Sequence, residues 1–332
     1  VEKFRLSHEV LEQREYLESP FAPILEGAGG VRRKLEGPDP LLDYPILKDL
    51  HAQGCTDYVA MPMLFSDGQI NIFTLVSKQP GGFSTDDLGH LYEILSAMSR
   101  LFEVHAQRRT AIALLDTYLG QHTGKRVLDG VIKRGDGENL NAVIWYCDLR
   151  DSTALTETMD REEYLHYLNQ FFDCMAGAVL DHDGEVLKFI GDAVLAIFPV
   201  TERTNVEACQ NAVAAARDAQ RRIETINREN FGKDVPPIKF ALAMHIGHLT
   251  YGNIGTTGRL DFTVIGSAVN EVARIESQSK KLGESVLISA EFAKHYPGKL
   301  RTLGSHRLRG VSAEQEIFTL VPEQLPDPEK EK

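Results

Sequence analysis

The sequence lacks the features that would place it in a membrane or on nucleic acid. None of its apolar runs approaches the ~18 consecutive residues that a membrane span requires, and its N-terminus lacks the basic-then-apolar layout of a secretion signal. Positive charge is also in deficit, since 36 Lys and Arg residues against 48 Asp and Glu residues give a net charge of −12. Surfaces that bind nucleic acids need the opposite balance. We therefore expect a cytoplasmic protein with no membrane span and no nucleic-acid partner.

Cysteine is scarce and follows no recognisable pattern. Cys55, Cys147, Cys174 and Cys209 show no CxxC or CxxH spacing, so neither a zinc knuckle nor a disulfide framework is indicated. Reduced and mostly buried thiols are expected instead, as in most cytoplasmic proteins. Cys147 in particular is expected to lie in a core.

The chain does contain enough apolar sequence for two folded domains. Its 332 residues, 42% hydrophobic and 25% charged, match two soluble domains of ordinary size. Residues 1–86 combine strand-like runs with turns, and segments 57–65 and 70–76 flank a Ser66-Asp67-Gly68 turn in a predicted hairpin. With the Pro-Gly-Gly-Phe-Ser segment at 80–84, this region faintly resembles a GAF-type sensory domain. We interpret residues 1–86 as a partial, GAF-like α+β regulatory region.

A signalling helix and a connector are predicted over residues 87–138. Ser84 or Thr85 is expected to cap the helix. Apolar residues then recur at three- and four-residue steps, which places them on one face of a helix that runs to about residue 119. They are Leu88, Leu91, Leu95, Met98, Leu101, Phe102, Ile112 and Leu115. Fewer than four clean heptads are present, so this face fits either its own domain or a coiled coil between subunits.

Beyond a domain boundary predicted near residues 120–138, strands and helices alternate over 139–322, and a charged tail follows over 323–332. The predicted elements are strand 142–147, helix 160–180, strands 185–190 and 193–198, helix 204–230, strands 238–247 and 249–255, and helix 268–281. This order predicts an α/β (α+β) fold with a ferredoxin-like βαββαβ core.

Two aspartates stand at the ends of strands that should be neighbours in this sheet. Asp148 follows the strand 142–147, and Asp192 lies in the tight Gly191-Asp192 turn. Taken alone, each is more simply interpreted as a cap or turn residue. Together, two carboxylates on rigid strands can share two hard cations, Mg²⁺ or Mn²⁺, which prefer oxygen ligands. Such a metal pair can polarise the attacking and the leaving oxygen of a phosphoryl displacement.

Three motifs favour the metal interpretation. They are YCDLRDST at 146–153, KFIGD at 188–192 and DFTVIGSAVNEVAR at 261–274. In this order and at these separations they resemble the signature of class III adenylate and guanylate cyclases, and the resemblance covers residues 139–322. It implies the cyclase catalytic fold, a nucleoside triphosphate substrate and two divalent metal ions.

The resemblance also assigns roles to single positions. Asp148 and Asp192 resemble the metal-binding aspartates, with the backbone carbonyl of Leu149 as a further ligand. Asn270 and Arg274 lie four apart and therefore on one helix face. They resemble the catalytic pair that orients the ribose and stabilises the charged phosphorus, for which the planar, permanently charged guanidinium is well suited.

Lys188 and Thr263 resemble the two base-recognising positions. A lysine only donates hydrogen bonds, so it suits N1 of adenine, whereas guanine carries a proton on that nitrogen. The threonine hydroxyl can accept from the adenine amino group. ATP is therefore the expected substrate, and Thr263 resembles the Thr-containing subclass of adenylate cyclases. A guanylate-selective cyclase and a catalytically silent nucleotide-sensing module are the alternatives.

The phosphates of the substrate are expected to bind after the first strand. Arg309 falls where many relatives place a lysine that touches the terminal phosphates, and unpaired backbone amides at a helix start attract anions. The expected phosphate-binding residues in that segment are Leu149, Arg150, Asp151, Ser152 and Thr153. The commoner motif is Asp-Ile-x-Gly-Phe-Thr, so Asp151 replaces Gly and Ser152 replaces Phe. The extra carboxylate would either weaken nucleotide binding or help to hold metal.

A homodimer follows from the same resemblance. In relatives the metal aspartates come from one protomer, and the Lys, Thr, Asn and Arg come from the other. A chain that holds all six residues must pair with itself, so we predict a C2 homodimer with two equivalent sites. The catalytic domain and the linking helix are the expected contacts, and the N-terminal region is expected to regulate how the two catalytic halves meet.

Overall fold

The computed structural model describes residues 17–200, 204–233, 235–309 and 314–322. The chain divides into two compact units, residues 1–111 and 112–332. The charged tail predicted at 323–332 lies outside the described residues, as do residues 1–16 of the predicted regulatory region.

The N-terminal unit contains a three-stranded antiparallel sheet. Its elements are α1 (Ala22–Leu25), β1 (Val31–Lys34), α2 (Pro45–Ala52), β2 (Asp57–Leu64) and β3 (Ile70–Ser77), and the strand order is β1-β2-β3. The predicted hairpin is confirmed, because β2 pairs with β3 along its whole length. The buried core of this unit is Ile24, Val31, Leu35, Leu47, Cys55, Tyr58 and Ala60. The resemblance to a GAF domain stays a prediction.

The long helix α3 (Thr85–Leu119) starts where the sequence predicted. The Ser84 hydroxyl accepts from the Asp87 amide at 3.0 Å, and the Asp87 carboxylate accepts from the Ser84 amide at 2.9 Å, which is a reciprocal N-terminal cap. Just before it, the fully buried Asp57 pairs with Arg32 at 2.7 Å and accepts from the Phe83 amide at 3.0 Å. These contacts fix the point at which the helix leaves the sheet.

Only a narrow stripe of α3 is buried. Leu95, Ser99 and Glu103 lie one turn apart on the buried side, and the Glu103 carboxylate accepts from the Ser66 amide in the β2–β3 turn at 3.0 Å. The predicted apolar face is therefore only partly covered within one chain. Large apolar side chains of the helix that remain exposed are Tyr92, Ile94, Leu101, Phe102, Val104, Ile112, Leu114 and Tyr118.

The C-terminal unit is built on an eight-stranded sheet with helices on both faces. Its elements are α4 (Gln121–Leu128), β4 (Gly137–Leu149), α5 (Ser152–Thr158), α6 (Arg161–Asp181), β5 (Glu185–Ile190), β6 (Ala193–Pro199), α7 (Asn205–Glu229), β7 (Phe240–Thr256), β8 (Arg259–Ile265), α8 (Ser267–Glu276), α9 (Ser279–Leu282), β9 (Val286–Ser289), α10 (Ala290–Ala293), β10 (Leu300–His306) and β11 (Gln315–Leu320). The strand order is β10-β11-β9-β7-β4-β6-β5, with β8 paired to β7. The segment from β4 to β7 has the predicted βαββαβ order.

Three details of the prediction were wrong. The strands expected at 238–247 and 249–255 form one strand, β7, because β4 pairs with it without interruption from Gly137 to Leu149. The helix expected at 268–281 stops at Glu276, where the Ser277 hydroxyl donates to the Arg274 carbonyl at 2.7 Å and competes with the helical ladder. Strand β8 was missed.

The two faces of β4 build two cores. Val143, Trp145 and Cys147 face a cluster that α6 and α7 cover, whereas Ala142 and Ile144 face a cluster that α8 covers, as the two-residue period of a strand requires. All four cysteines are free and buried, which confirms the predicted burial of the thiols. No helix in the described ranges has both the length and the apolar composition that a membrane crossing demands.

The connector that precedes β4 is held against the sheet by buried polar contacts. The Thr123 and Tyr251 hydroxyls lie 2.6 Å apart, and Tyr251 donates to the Glu185 carboxylate at 2.5 Å. The Arg126 guanidinium sits 5.4 Å from the centroid of the Tyr251 ring, within range of a cation–π contact. Burial and the charge of Glu185 raise the pKa of Tyr251. The Tyr251 hydroxyl therefore stays protonated and can donate to Glu185.

Replacing the fully buried Phe198 by Ala should destabilise the fold by about 3–5 kcal/mol, because it removes a large side chain and leaves a cavity. The matched control is Phe231→Ala, since Phe231 is 91% exposed and its loss should change stability by less than about 0.5 kcal/mol. Urea unfolding of both variants measures the difference. Equal midpoints would contradict the assignment of the core.

Candidate active site

The two predicted metal aspartates are brought together by the β4–β6 ladder. Asp148 pairs with Ala193, the residue that follows Asp192 in the turn from β5. The Leu149 amide donates to the Asp192 carbonyl at 3.3 Å. Gly191 supplies the positive φ of 64° that this tight turn requires. The sheet register therefore places both carboxylates at one edge of the domain.

The electrostatics of this pair favour a bound cation. Burial raises the pKa of Asp148 to about 6, and the neighbouring negative charge of Asp192 adds to the rise. Oxygen Oδ1 of Asp148 is buried and has no hydrogen-bond partner among the described residues. A divalent cation would satisfy that oxygen and relieve the repulsion between the carboxylates. The donor set thus fits the predicted metal ions.

A third carboxylate near this pair escaped the sequence analysis. Burial raises the pKa of Glu276 to about 7, with a further contribution from the charge of Asp148, while Arg150 opposes the rise. The only signal in the sequence was its place two residues beyond Arg274. Within the described ranges no three His, Cys, Asp or Glu side chains converge tightly enough to ligate one ion. A metal at Asp148 and Asp192 would take other oxygens as further ligands, such as the backbone carbonyl of Leu149.

The segment predicted to hold phosphates makes a sharp turn after β4. Leu149 is buried, and the Arg150 amide donates to the Lys239 carbonyl at 2.9 Å. Asp151 has a left-handed backbone, with φ 60° and ψ 19°. That conformation explains why glycine is the commoner residue here, since aspartate is one of the few other residues that adopt it. Ser152 and Thr153 open α5, and their role in phosphate binding stays a prediction.

Lys188 and Thr263 lie on elements that come together from distant parts of the chain. A β-bulge between Val186 and Lys188 breaks the β5–β6 register, and bulges re-aim the side chains that follow them. The Lys188 ammonium forms an ion pair with Asp261 at 2.5 Å. Asp261 and Thr263 are two residues apart on β8 and therefore share one face of the strand.

Asn270, Arg274 and Arg309 line one cavity. Its volume is about 460 Å³, and Ala273 and Ser277 complete its lining. One helix face carries all four of these residues, because their positions follow the i, i+3, i+4, i+7 spacing: Asn270, Ala273, Arg274 and Ser277. The structure thus brings together the three residues to which the resemblance assigned contacts with the ribose, the phosphorus and the terminal phosphates.

Helix α8 presents side chains in several directions. Ala268, Val272 and Ile275 face the core, and Glu276 lies close enough to Asp148 for the charge of Asp148 to raise its pKa. At 100° per residue, Glu276 lies about 120° around the helix from Asn270. Asn270 and Glu276 therefore project from different sides of α8.

A comparison with protein families identifies the domain that holds these residues. The family model of the adenylate and guanylate cyclase catalytic domain matches residues 137–320, which is more than half of the chain. The chain belongs to this family. We refer to residues 137–320 as the cyclase domain.

Two curated adenylate cyclases share sequence with the cyclase domain. Adenylate cyclase 1 of Rhizobium meliloti is 30% identical over 181 residues, which are 53% of this chain and 27% of that protein. The adenylate cyclase of Anabaena cylindrica is 32% identical over 159 residues, or 48% of this chain and 31% of the relative. The chain thus matches less than a third of the length of either relative.

Solved structures confirm the catalytic fold. The adenylyl cyclase CyaB from P. aeruginosa superposes with a TM-score of 0.52 and 25% identity, over 57% of this chain and 97% of that one. A bacterial light-regulated adenylyl cyclase superposes with a TM-score of 0.57 over 87% of this chain and 91% of that one, at 17% identity. The second likeness concerns the fold alone.

Asp148→Asn should raise the melting temperature of the metal-free protein at about pH 7.5, because the raised pKa means that folding is opposed by ionisation of Asp148. The folded state binds this proton more tightly than the unfolded state does. Protonation of Asp148 therefore stabilises the folded protein fully below the ordinary Asp pKa, and this stabilisation is lost as the pH rises through about 6. The gain should therefore shrink at about pH 5. Thermal scans without metal check both points.

Mn²⁺ should raise the melting temperature of the wild-type protein and leave that of Asp148→Asn nearly unchanged, since binding to the folded state alone is stabilising. Asp173→Asn, on an exposed position of α6, is the control that should respond like the wild type. An equal Mn²⁺ response in Asp148→Asn would reject the metal site.

Proposed function

We propose that this chain is an adenylate cyclase that converts ATP to 3′,5′-cyclic AMP and pyrophosphate. The observation that carries the proposal is the close pair of Asp148 and Asp192, with its buried, unpartnered oxygen, in a domain of the cyclase family. The names of the curated relatives support adenylate as the substrate class. Lys188 and Thr263 support it independently, because the residues usual in guanylate cyclases are absent from these positions.

Asp148, Asp192 and the backbone carbonyl of Leu149 would hold two divalent ions, Mg²⁺ or Mn²⁺. Bound there, the ions supply Lewis acidity to the attacking 3′-oxygen and to the oxygens of the phosphates. The contribution of the chain itself is to fix two carboxylates on the rigid ends of β4 and β6, so that little rearrangement is needed when metal and nucleotide bind.

The remaining residues bind and orient the nucleotide. Lys188 donates to N1 of adenine, and Thr263 accepts from the amino group. Asn270 orients the ribose so that its 3′-hydroxyl faces the α-phosphorus. Arg274 stabilises the negative charge that grows on the phosphoryl oxygens as the ring closes, and Arg309 contacts the terminal phosphates. The backbone amides over 151–153 complete the contacts to the phosphates, since the Arg150 amide already donates to the Lys239 carbonyl.

A homodimer completes the site. Asn270 projects from a different side of α8 than Glu276, whose pKa the charge of Asp148 raises, and this supports a site whose metal half and nucleotide half come from different protomers. A two-fold partner supplies the missing half and creates two equivalent sites. The exposed apolar side chains of α3, such as Leu101 and Val104, provide a second contact between linking helices.

Hydrogen bonds join the connector to a strand that carries residues of the proposed site. Thr123 reaches β5 through Tyr251 and Glu185, and β5 carries Lys188 and leads into the turn with Asp192. A shift of the connector would therefore move a base-recognising residue and a metal ligand together. This supports regulation of the cyclase domain by residues 1–86 and by the signalling helix.

Purified protein supplied with ATP and Mn²⁺ or Mg²⁺ should form cyclic AMP, and GTP should give much less product. Asp192→Ala should abolish turnover, because one carboxylate holds the ions poorly. Chromatography of the products of both triphosphates is the measurement. Faster turnover of GTP would identify a guanylate cyclase instead, and the absence of any cyclic product would favour a silent nucleotide-sensing module.

Mixing two inactive variants should restore activity if the site is shared between protomers. Asp192→Ala lacks the metal half, and Arg274→Ala lacks the phosphorus half. After co-expression in equal amounts, about a quarter of the wild-type rate is expected, because half of the dimers are mixed and each mixed dimer keeps one of its two sites. A mixture as inactive as either variant would place the whole site within one protomer.

A further inference from the structure

The ion pair between Lys188 and Asp261 has no role in the functions assigned so far. It joins β5 to β8 across 73 positions of sequence, with Nζ and Oδ2 only 2.5 Å apart. The Lys188 side chain is 28% exposed, and that of Asp261 is 64% exposed. An ion pair so open to solvent adds little to the stability of a fold. Its placement at a base-recognising lysine points to a role in binding.

Strand β8 presents Asp261 on the same side as Thr263. Phe262 and Val264, which alternate with them, are buried in the core. Strand β8 pairs with β7 outside the main strand order. The face of β8 that carries Asp261 and Thr263 therefore does not pack against the main sheet. Lys188, Asp261 and Thr263 therefore form a row of a cationic donor, an anionic acceptor and a hydroxyl.

A lysine alone separates the two purines poorly. Its ammonium can donate to N1 of adenine, but it can equally donate to O6 of guanine. A carboxylate that holds the ammonium in one position restricts which ring atom the ammonium can reach. The same carboxylate accepts from the 6-amino group of adenine and repels the carbonyl oxygen that guanine carries at that ring position.

We infer that Asp261 is a positioning and specificity-determining residue, which holds Lys188 and makes the nucleotide site prefer adenine to guanine. The inference rests on the proposed cyclase function and adds a third residue to its base-recognition set. A site discriminates in this way when it contains a buried or constrained polar group. The wrong substrate either leaves that group without a hydrogen-bond partner or is repelled by it.

The test is the substrate preference of Asp261→Asn, which keeps the size of the side chain and removes its charge. The ratio of kcat/KM for ATP to that for GTP should fall by about tenfold, mainly through a higher KM for ATP, because base contacts lie far from the reacting phosphorus. Asp261→Glu, which retains the carboxylate, should recover most of the preference. A ratio within about twofold of the wild-type value in Asp261→Asn would overturn the inference.

Glu291→Gln is the matched control. Glu291 forms a comparable exposed ion pair with Lys294 at 2.6 Å, and neither residue is assigned a contact with the nucleotide, so this variant should keep the wild-type ratio. The melting temperatures of Asp261→Asn and Glu291→Gln should both stay close to that of the wild type. A large drop for Asp261→Asn together with an unchanged ratio would assign Asp261 a structural role only.

Equilibrium binding separates this inference from the proposed function. The dissociation constants of ATP and GTP, measured by calorimetry with Ca²⁺, should show the same loss of preference in Asp261→Asn whether or not the protein turns over nucleotide. A wild-type protein that binds ATP selectively without forming cyclic AMP would refute the proposed cyclase activity. The binding preference of Asp261→Asn would still decide the role of Asp261. A wild-type protein that binds both triphosphates equally would refute the role of Asp261.

Discussion

Asp148 and Asp192 repel each other at an edge of the sheet where water only partly screens them, and the surrounding architecture maintains that arrangement. The β4–β6 ladder fixes their separation, and the positive φ of Gly191 keeps the turn tight. Burial and mutual repulsion raise the pKa of Asp148 to about 6. Such a pair opposes folding near neutral pH, and a bound cation would relieve the repulsion for the same reason. The proposed metal binding would thus be obtained at some cost in stability.

Helix α8 contacts three parts of the cyclase domain. One side of the helix closes a hydrophobic core, another turns Glu276 toward the carboxylates, and a third presents Asn270 and Arg274 to a cavity. Asn270 and Glu276 thus project from different sides of this short helix. The proposed homodimer is the simplest closed arrangement that brings the metal half and the nucleotide half of a site together.

Two local features of this chain bear on the proposed site. Asp151 adopts a left-handed conformation at a position where glycine is commoner, which adds both backbone strain and a negative charge beside the expected phosphates. The buried contact of Thr123 with Tyr251 and Glu185 links the connector to β5. The first places a negative charge in the segment that is predicted to hold phosphates, and the second is the contact on which the proposed control by the N-terminal region rests.

Local patterns in the sequence determined the βαββαβ order, the helix that begins at Thr85, and the places of Asp148 at a strand end and Asp192 in a tight turn, because neighbouring residues encode these features. The pairing of β4 with β6 then brought the two aspartates together. The continuity of β7, the end of α8 at Glu276 and the strand β8 depended on pairing partners and competing hydrogen bonds that local patterns do not contain. The approach of Glu276 to Asp148 and of Asp261 to Lys188 was decided by tertiary structure alone. Each of these contacts joins residues that only sheet pairing and helix packing bring within reach, and no spacing in the sequence records that distance.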